Sequence, residues 1–252
     1  MCPLPLLPVL AALVASLATG CGGVEEDRPQ PDPEDAGEEI ATIPFAERGL
    51  ARDDFLLVSG AGDTMRFTTV AGDGPRIRLV RTLRTPSGTD SIAALIDART
   101  KEPVASYQRR FADDGDVIVA HVSYGTGFEG QARLRLTTPR GSGSENLRTP
   151  SPVLDAAQLP QTFSALDFSR PDTISFNYVA PFEKRALAAR VEIGGLDTLR
   201  IDDGAIPAHR ITIRVSGLVE RAWFAAPPGG FRLLRYEEST RGVTWSRPSA
   251  PE

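Results

Sequence analysis

The chain has 252 residues, room for one large domain or two small ones, and its 33 acidic and 28 basic side chains leave a net charge of −5. That charge sits at one end: residues 24–39 hold eight acids against Arg28 alone, a net of −7, while residues 1–23 carry none and the remainder sums to +2. A nearly neutral, arginine-rich body argues against a nucleic-acid partner, which wants a net basic surface. Cys2 and Cys21 are the only cysteines, so the body has no disulfide and stands on its core alone.

Residues 3–20 are uncharged and mostly apolar, ending in small side chains before Cys21. This reads as a signal peptide, to be set apart from fold reasoning. Pro3, Pro5 and Pro8 weigh against an uncleaved spanning helix, which needs ~20 suitable residues. The sequence Leu17-Ala18-Thr19-Gly20-Cys21 resembles a bacterial lipoprotein box, although Ala18 stands where leucine is usual and no basic residue precedes the apolar run. The resemblance implies cleavage before Cys21 and acylation there, with several chains holding the protein on a membrane as one alone would not. Gly22 after the cysteine, by analogy with lipoproteins, favours an outer membrane. Residues 21–43 then form the lipidated cysteine and an acidic linker with Pro29, Pro31 and Pro33, too polar to bury a core.

Over residues 44–248 short β-like runs succeed one another at the spacing of an all-β fold. Residues 55–58 and 65–70 flank a Gly60-Ala61-Gly62-Asp63 turn. Residues 76–84 alternate, except that Arg81 falls on the apolar side and predicts a bulge. Residues 91–97, 104–111, 116–124 and 131–137 follow; in the last, Ala132, Leu134 and Leu136 oppose Arg133 and Arg135. Residues 139–152 read as a Gly/Ser/Pro loop. Leu159, Phe163 and Leu166 fall at helical spacing behind Pro160, so one short helix is expected over 159–166. Strands resume at 172–179, 185–193 and 196–201. A meander follows, with Ile211, Ile213 and Val215 on one face, Trp223 and Phe224 in its second strand, and a Pro227-Pro228-Gly229-Gly230 turn before residues 231–237. Residues 243–247 close a count of about twelve strands. The expected fold is all-β and mainly antiparallel, a twisted, partly closed sheet or half-barrel.

Few residues point to chemistry. Gly125-Thr126-Gly127-Phe128-Glu129-Gly130 spells a dinucleotide fingerprint, but a strand follows where a helix N-terminus should receive the pyrophosphate, so it is a hairpin loop. His121 and His209 are the only histidines, each on a strand, and neither a metal motif nor a nucleophile elbow accompanies them. Asp113-Asp114-Gly115-Asp116 lacks the spacing and terminal glutamate of a calcium loop. No catalytic residue, cofactor or metal is assigned. The late aromatic residues make a core, or some line an apolar cavity; Phe163, Phe176, Tyr178, Trp223 and Phe231 are the candidates for lining one.

The succession D-T-I-S-F, D-G-A-I-P-A, I-T-I-R-V, R-A-W-F-A and R-L-L-R-Y-E, with Asp97-Ala98-Arg99-Thr100 ahead of Pro103-Val104, resembles a family of uncharacterised bacterial secreted proteins and lipoproteins known only as a domain of unknown function. The likeness covers most of residues 65–247. More distantly such proteins look like the lipoprotein-sorting carriers, which implies an antiparallel sheet cupped around short helices and an apolar groove for acyl chains. The leading expectation is a membrane-tethered, non-catalytic envelope module holding an apolar ligand such as lipid, which an empty domain without a cavity above ~300 Å³ would count against. The alternative is a structural or interaction protein with an envelope partner. A hydrolase would place Ser or Asp within ~3 Å of His121 or His209.

Overall fold

The structure, a computed structural model, describes residues 43–46, 50, 54–111, 115–125, 130–169, 172–201, 204–239 and 241–248. The signal segment, Cys21 and residues 22–42 of the acidic linker lie outside them. Fifteen strands form one sheet: β1 (Asp54–Ser59), β2 (Thr64–Ala71), β3 (Arg76–Thr85), β4 (Gly88–Asp97), β5 (Pro103–Phe111), β6 (Val117–Tyr124), β7 (Gln131–Thr138), β8 (Gly141–Arg148), β9 (Val153–Asp155), β10 (Thr173–Ala180), β11 (Arg185–Ile201), β12 (Gly204–Val215), β13 (Leu218–Ala225), β14 (Leu233–Glu238) and β15 (Val243–Ser246). Their spatial order is β8 through β1 in descending sequence, then β15 descending to β9. Two meanders therefore meet where β1 pairs with β15, at Val58↔Ser246 and Ser59↔Trp245. Every neighbour is antiparallel except β9, which runs parallel to β10. The sheet is not closed.

The alternation read in the sequence is what the strands use. On β7, Ala132 and Leu134 are buried while Arg133 and Arg135 are exposed; on β12, Ile211, Ile213 and Val215 are buried together. Burying each large aliphatic or aromatic side chain contributes roughly 1.5–3 kcal/mol. The main core lies on one face, with Leu57, Phe67, Val191, Ile211, Phe224 and Trp245 within it. Val179, out of phase with Ile174 and Phe176 on β10, turns away from that core and packs against Val122 of β6 and Leu134 of β7. A smaller cluster of Leu199, Ala208, Trp223 and Leu234 lies on the opposite face. β11 reaches both faces because a bulge at Gly194-Gly195 shifts its register between Ile193↔Ile211 and Leu196↔His209.

Four sequence expectations are corrected. The strands number fifteen, not about twelve. One surplus strand, β8, lies inside the presumed 139–152 loop: its Gly-Ser-Gly-Ser composition has low β propensity, but a two-residue turn at Pro139-Arg140 sets it beside β7 from Thr138↔Gly141 onward. No α-helix occurs among the described residues; 159–166 instead holds a 3-10 turn, Gln161–Ala165. Leu159 precedes a proline and adopts φ −89°, ψ 147°, outside the α region. The remaining stretch is too short to nucleate a helix, and packing alone places its apolar side chains. Finally, Arg81 marks no bulge. The register runs unbroken through Phe67↔Arg81 and Arg81↔Ile92, so the arginine faces the interior.

Candidate functional site: a polar core segment and the cavity beside it

Residues 157–166 are continuously buried, an unusual fate for chain without regular structure. Their backbone needs partners, and a polar network supplies them. Asp155, fully buried, accepts from Ser106 Oγ at 2.6 Å, Tyr124 Oη at 2.6 Å, Gln108 Nε2 at 3.3 Å and the Ala157 backbone N–H at 2.7 Å. Its own N–H donates to Gln158 Oε1 at 3.0 Å, which completes a capping box on the 3-10 turn Ala156–Gln158. Gln158 Nε2 then donates to the Lys101 carbonyl at 3.0 Å, and Thr162 Oγ1 donates to the Gln158 carbonyl at 3.1 Å. Burial pushes the Asp155 carboxyl above its ordinary value, and the four donors pull it part of the way back. Burial, with the Asp155 charge beside it, drives the Tyr124 phenol well upward, so that phenol stays a donor.

A second inward-facing polar group lies across the sheet. Arg81 Nη1 donates to the Leu159 carbonyl at 3.0 Å. Tyr236 Oη donates to Glu220 at 2.6 Å, and burial raises both groups while the Arg81 charge opposes the rise. Tyr178 is likewise raised, first by burial and then by Glu220. Of this network three members leave a signal in the sequence: Arg81, out of phase in its strand, and Asp155 with Gln158, at capping-box spacing.

Residues 43–46 run alongside the buried segment, with a bridge between Phe45 and Leu166 and a bond from the Ala46 N–H to the Ala165 carbonyl at 2.8 Å. Residues 149–152 connect β8 to β9, and the Asn177 side chain holds them by donating to the Pro150 carbonyl at 2.7 Å. Between these two stretches opens a cavity of about 360 Å³. Its apolar walls are Ile43, Phe45, Pro152, Val153 and Leu154; Arg99, Thr100, Glu102 and Ser151 form its polar rim.

The five aromatic candidates separate. Phe163 and Phe176 meet edge to face in the main core at 5.9 Å, and Tyr178 and Phe231 pack against that core. Trp223 is on the other face. None of the five lines the 360 Å³ cavity, but Phe45, which does, also packs against the core that holds Phe163. His121 is exposed and meets Tyr107 edge-on at 4.9 Å; His209 stacks on Phe168 at 4.8 Å. Among the described residues no group of three or more His, Cys, Asp or Glu side chains could hold a metal ion. Comparisons with models of known families, with curated proteins and with solved structures give no match by any of the three.

Proposed function

We propose that this is a non-catalytic module of the bacterial envelope, tethered through acylated Cys21 to the periplasmic side of an outer membrane. Its sheet is a half-barrel that takes an apolar or amphiphilic ligand such as a lipid. The observation that carries the reading is the 360 Å³ cavity, apolar on the side of Ile43, Phe45, Val153 and Leu154 and polar where Arg99 stands. An acyl chain would lie against the apolar wall, and Arg99 would reach an acidic head group as a charge-assisted hydrogen-bond donor.

The test is fluorescence of N-phenyl-1-naphthylamine on titration into the full chain, followed by displacement with a fatty acid. Val153→Glu, which sets a charge in the apolar wall, is expected to weaken dye binding at least about tenfold, since an unpaired charge there is costly. Arg99→Ala is expected to leave the dye untouched while weakening the acid. Equal dye binding by V153E and the parent chain would end the proposal.

A second reading is favoured by β8, the terminal strand of the sheet, which is exposed along its length apart from Leu147. A partner strand could pair there by β-augmentation.

A further inference from the structure

The outward face of the sheet carries arginines along its whole width, and salt bridges hold several of them on β11–β14 but not those on β3–β8. In β11–β14 three of them have acidic partners, Arg210 with Asp197 at 3.9 Å, Arg214 with Glu192 at 2.9 Å and Arg221 with Glu237 at 3.3 Å, while Arg190 and Arg235 form no salt bridge among the described residues. In β3–β8 the outward positions alternate with the buried Leu79, Ile96, Ala120, Val122 and Leu134. They present Arg76, Arg78 and Arg84 on β3, Arg133 and Arg135 on β7 and Arg148 on β8, all exposed. Among the described residues none of these six forms a salt bridge. Along the outward rows of these six strands the one acid is Asp97, and its carboxylate is already turned onto the backbone N–H groups of Arg99 and Thr100.

The face also has a shape. Between β2 and β6 a hollow of about 510 Å³ is lined by Ala93, Leu95 and Ala105 and by Arg76, Arg78, Tyr107 and His121, with Asp73 as its one acid. Six strands at about 4.8 Å spacing make a band roughly 24 Å wide from β3 to β8. Guanidinium groups hold phosphate oxygens through paired, fixed donors, a geometry lysine lacks. Tyr107, apolar in body and polar at its tip, is the kind of residue that settles at a lipid–water boundary.

We propose that the outward face of β3–β8 docks on a membrane of anionic phospholipid, with head-group phosphates against the unpaired arginines. Charge complementarity over a broad sheet face is the argument, and it is independent of what fills the 360 Å³ cavity. Each arginine brought near an anionic surface contributes about fivefold in affinity. The attraction fades as salt shortens the screening length.

The experiment is vesicle co-sedimentation of the full chain carrying Cys21→Ser, so that no acyl anchor forms. Phosphatidylcholine vesicles are compared with vesicles containing about one-third phosphatidylglycerol. The anionic vesicles are expected to bind at least about a hundredfold better, with the gain lost between about 50 and 300 mM salt. Arg133→Glu with Arg135→Glu is expected to abolish that gain, and the milder Arg133→Gln with Arg135→Gln to cut it about 25-fold. Arg214→Glu with Arg221→Glu makes the same charge change on the paired half and is expected to keep most of it. Equal binding to both vesicles, or equal loss in both charge-reversed variants, overturns the proposal. Capture of soluble polyphosphate without any gain on anionic vesicles also overturns it.

Discussion

Arg81 and Leu159 are 78 residues apart in the chain, and the guanidinium of one donates to the carbonyl of the other at 3.0 Å. That bond ties the interior of β3 to the irregular segment that fills the core. It gives a buried carbonyl its partner where neither helix nor sheet provides one. The same cation lowers the cost of burying Glu220, which lies inward on β13.

Arg81→Met keeps the packing volume of the stem and removes donor and charge. It is expected to destabilise the domain by about 2–4 kcal/mol, because one buried carbonyl and one half-buried carboxylate lose their support. Urea unfolding should show a lower midpoint at unchanged slope. Arg81→Lys should recover part of the loss.

Stability should also depend on pH through Asp155 and Glu220. Burial raises both above the free-acid values of 3.8 and 4.5, so the folded protein binds these protons more tightly than the unfolded chain. Their contribution is complete below those values and is lost as pH rises through the folded-state values. Exposed acids such as Asp54 and Glu192, held down by Arg66 and Arg214, have the opposite sign. The informative quantity is therefore the difference between wild type and Asp155→Asn, measured by thermal melts across the acid range. The variant is expected to lack the decline that Asp155 imposes, and to be less stable by roughly 1–3 kcal/mol at low pH for want of matched hydrogen bonds.

Phe163, fully buried in the main core, should cost about 3–5 kcal/mol when truncated to alanine. Leu196 is 65% exposed at the bulge of β11, and its truncation should change stability by less than about 0.5 kcal/mol. Similar losses for both would contradict the packing described.

The bulge offers a sharper comparison between adjacent residues. A Cβ on Gly194 would lie 2.8 Å from the Arg210 carbonyl oxygen, whereas one on Gly195 would meet nothing within 4 Å. Gly194→Ala is expected to destabilise by about 1–3 kcal/mol, since the obstacle is backbone rather than a movable side chain. Gly195→Ala should be neutral or gain up to about 1 kcal/mol from a less flexible unfolded chain. Chemical unfolding of the two variants decides this directly.

Alternation of apolar and arginine-bearing positions was enough to read an all-β, antiparallel fold, because a pleated strand with one dry face imposes a period of two on its own sequence. The Ile211–Val215 strand and the Pro227–Gly230 turn are of this kind, local choices that need no knowledge of distant chain. β8 escaped because pairing with β7, not its own glycines and serines, makes it a strand. The 159–166 stretch escaped because spacing shows which side chains are buried without showing the backbone that buries them. Tertiary structure alone decided that Arg81 finds Leu159, that Asp155 gathers donors from β5, β6 and its own turn, and that Arg214 and Arg221 meet acids while Arg133 and Arg135, alike in sequence, form no salt bridge. Those outcomes depend on which strands become neighbours across the sheet, a non-local fact that no single strand encodes.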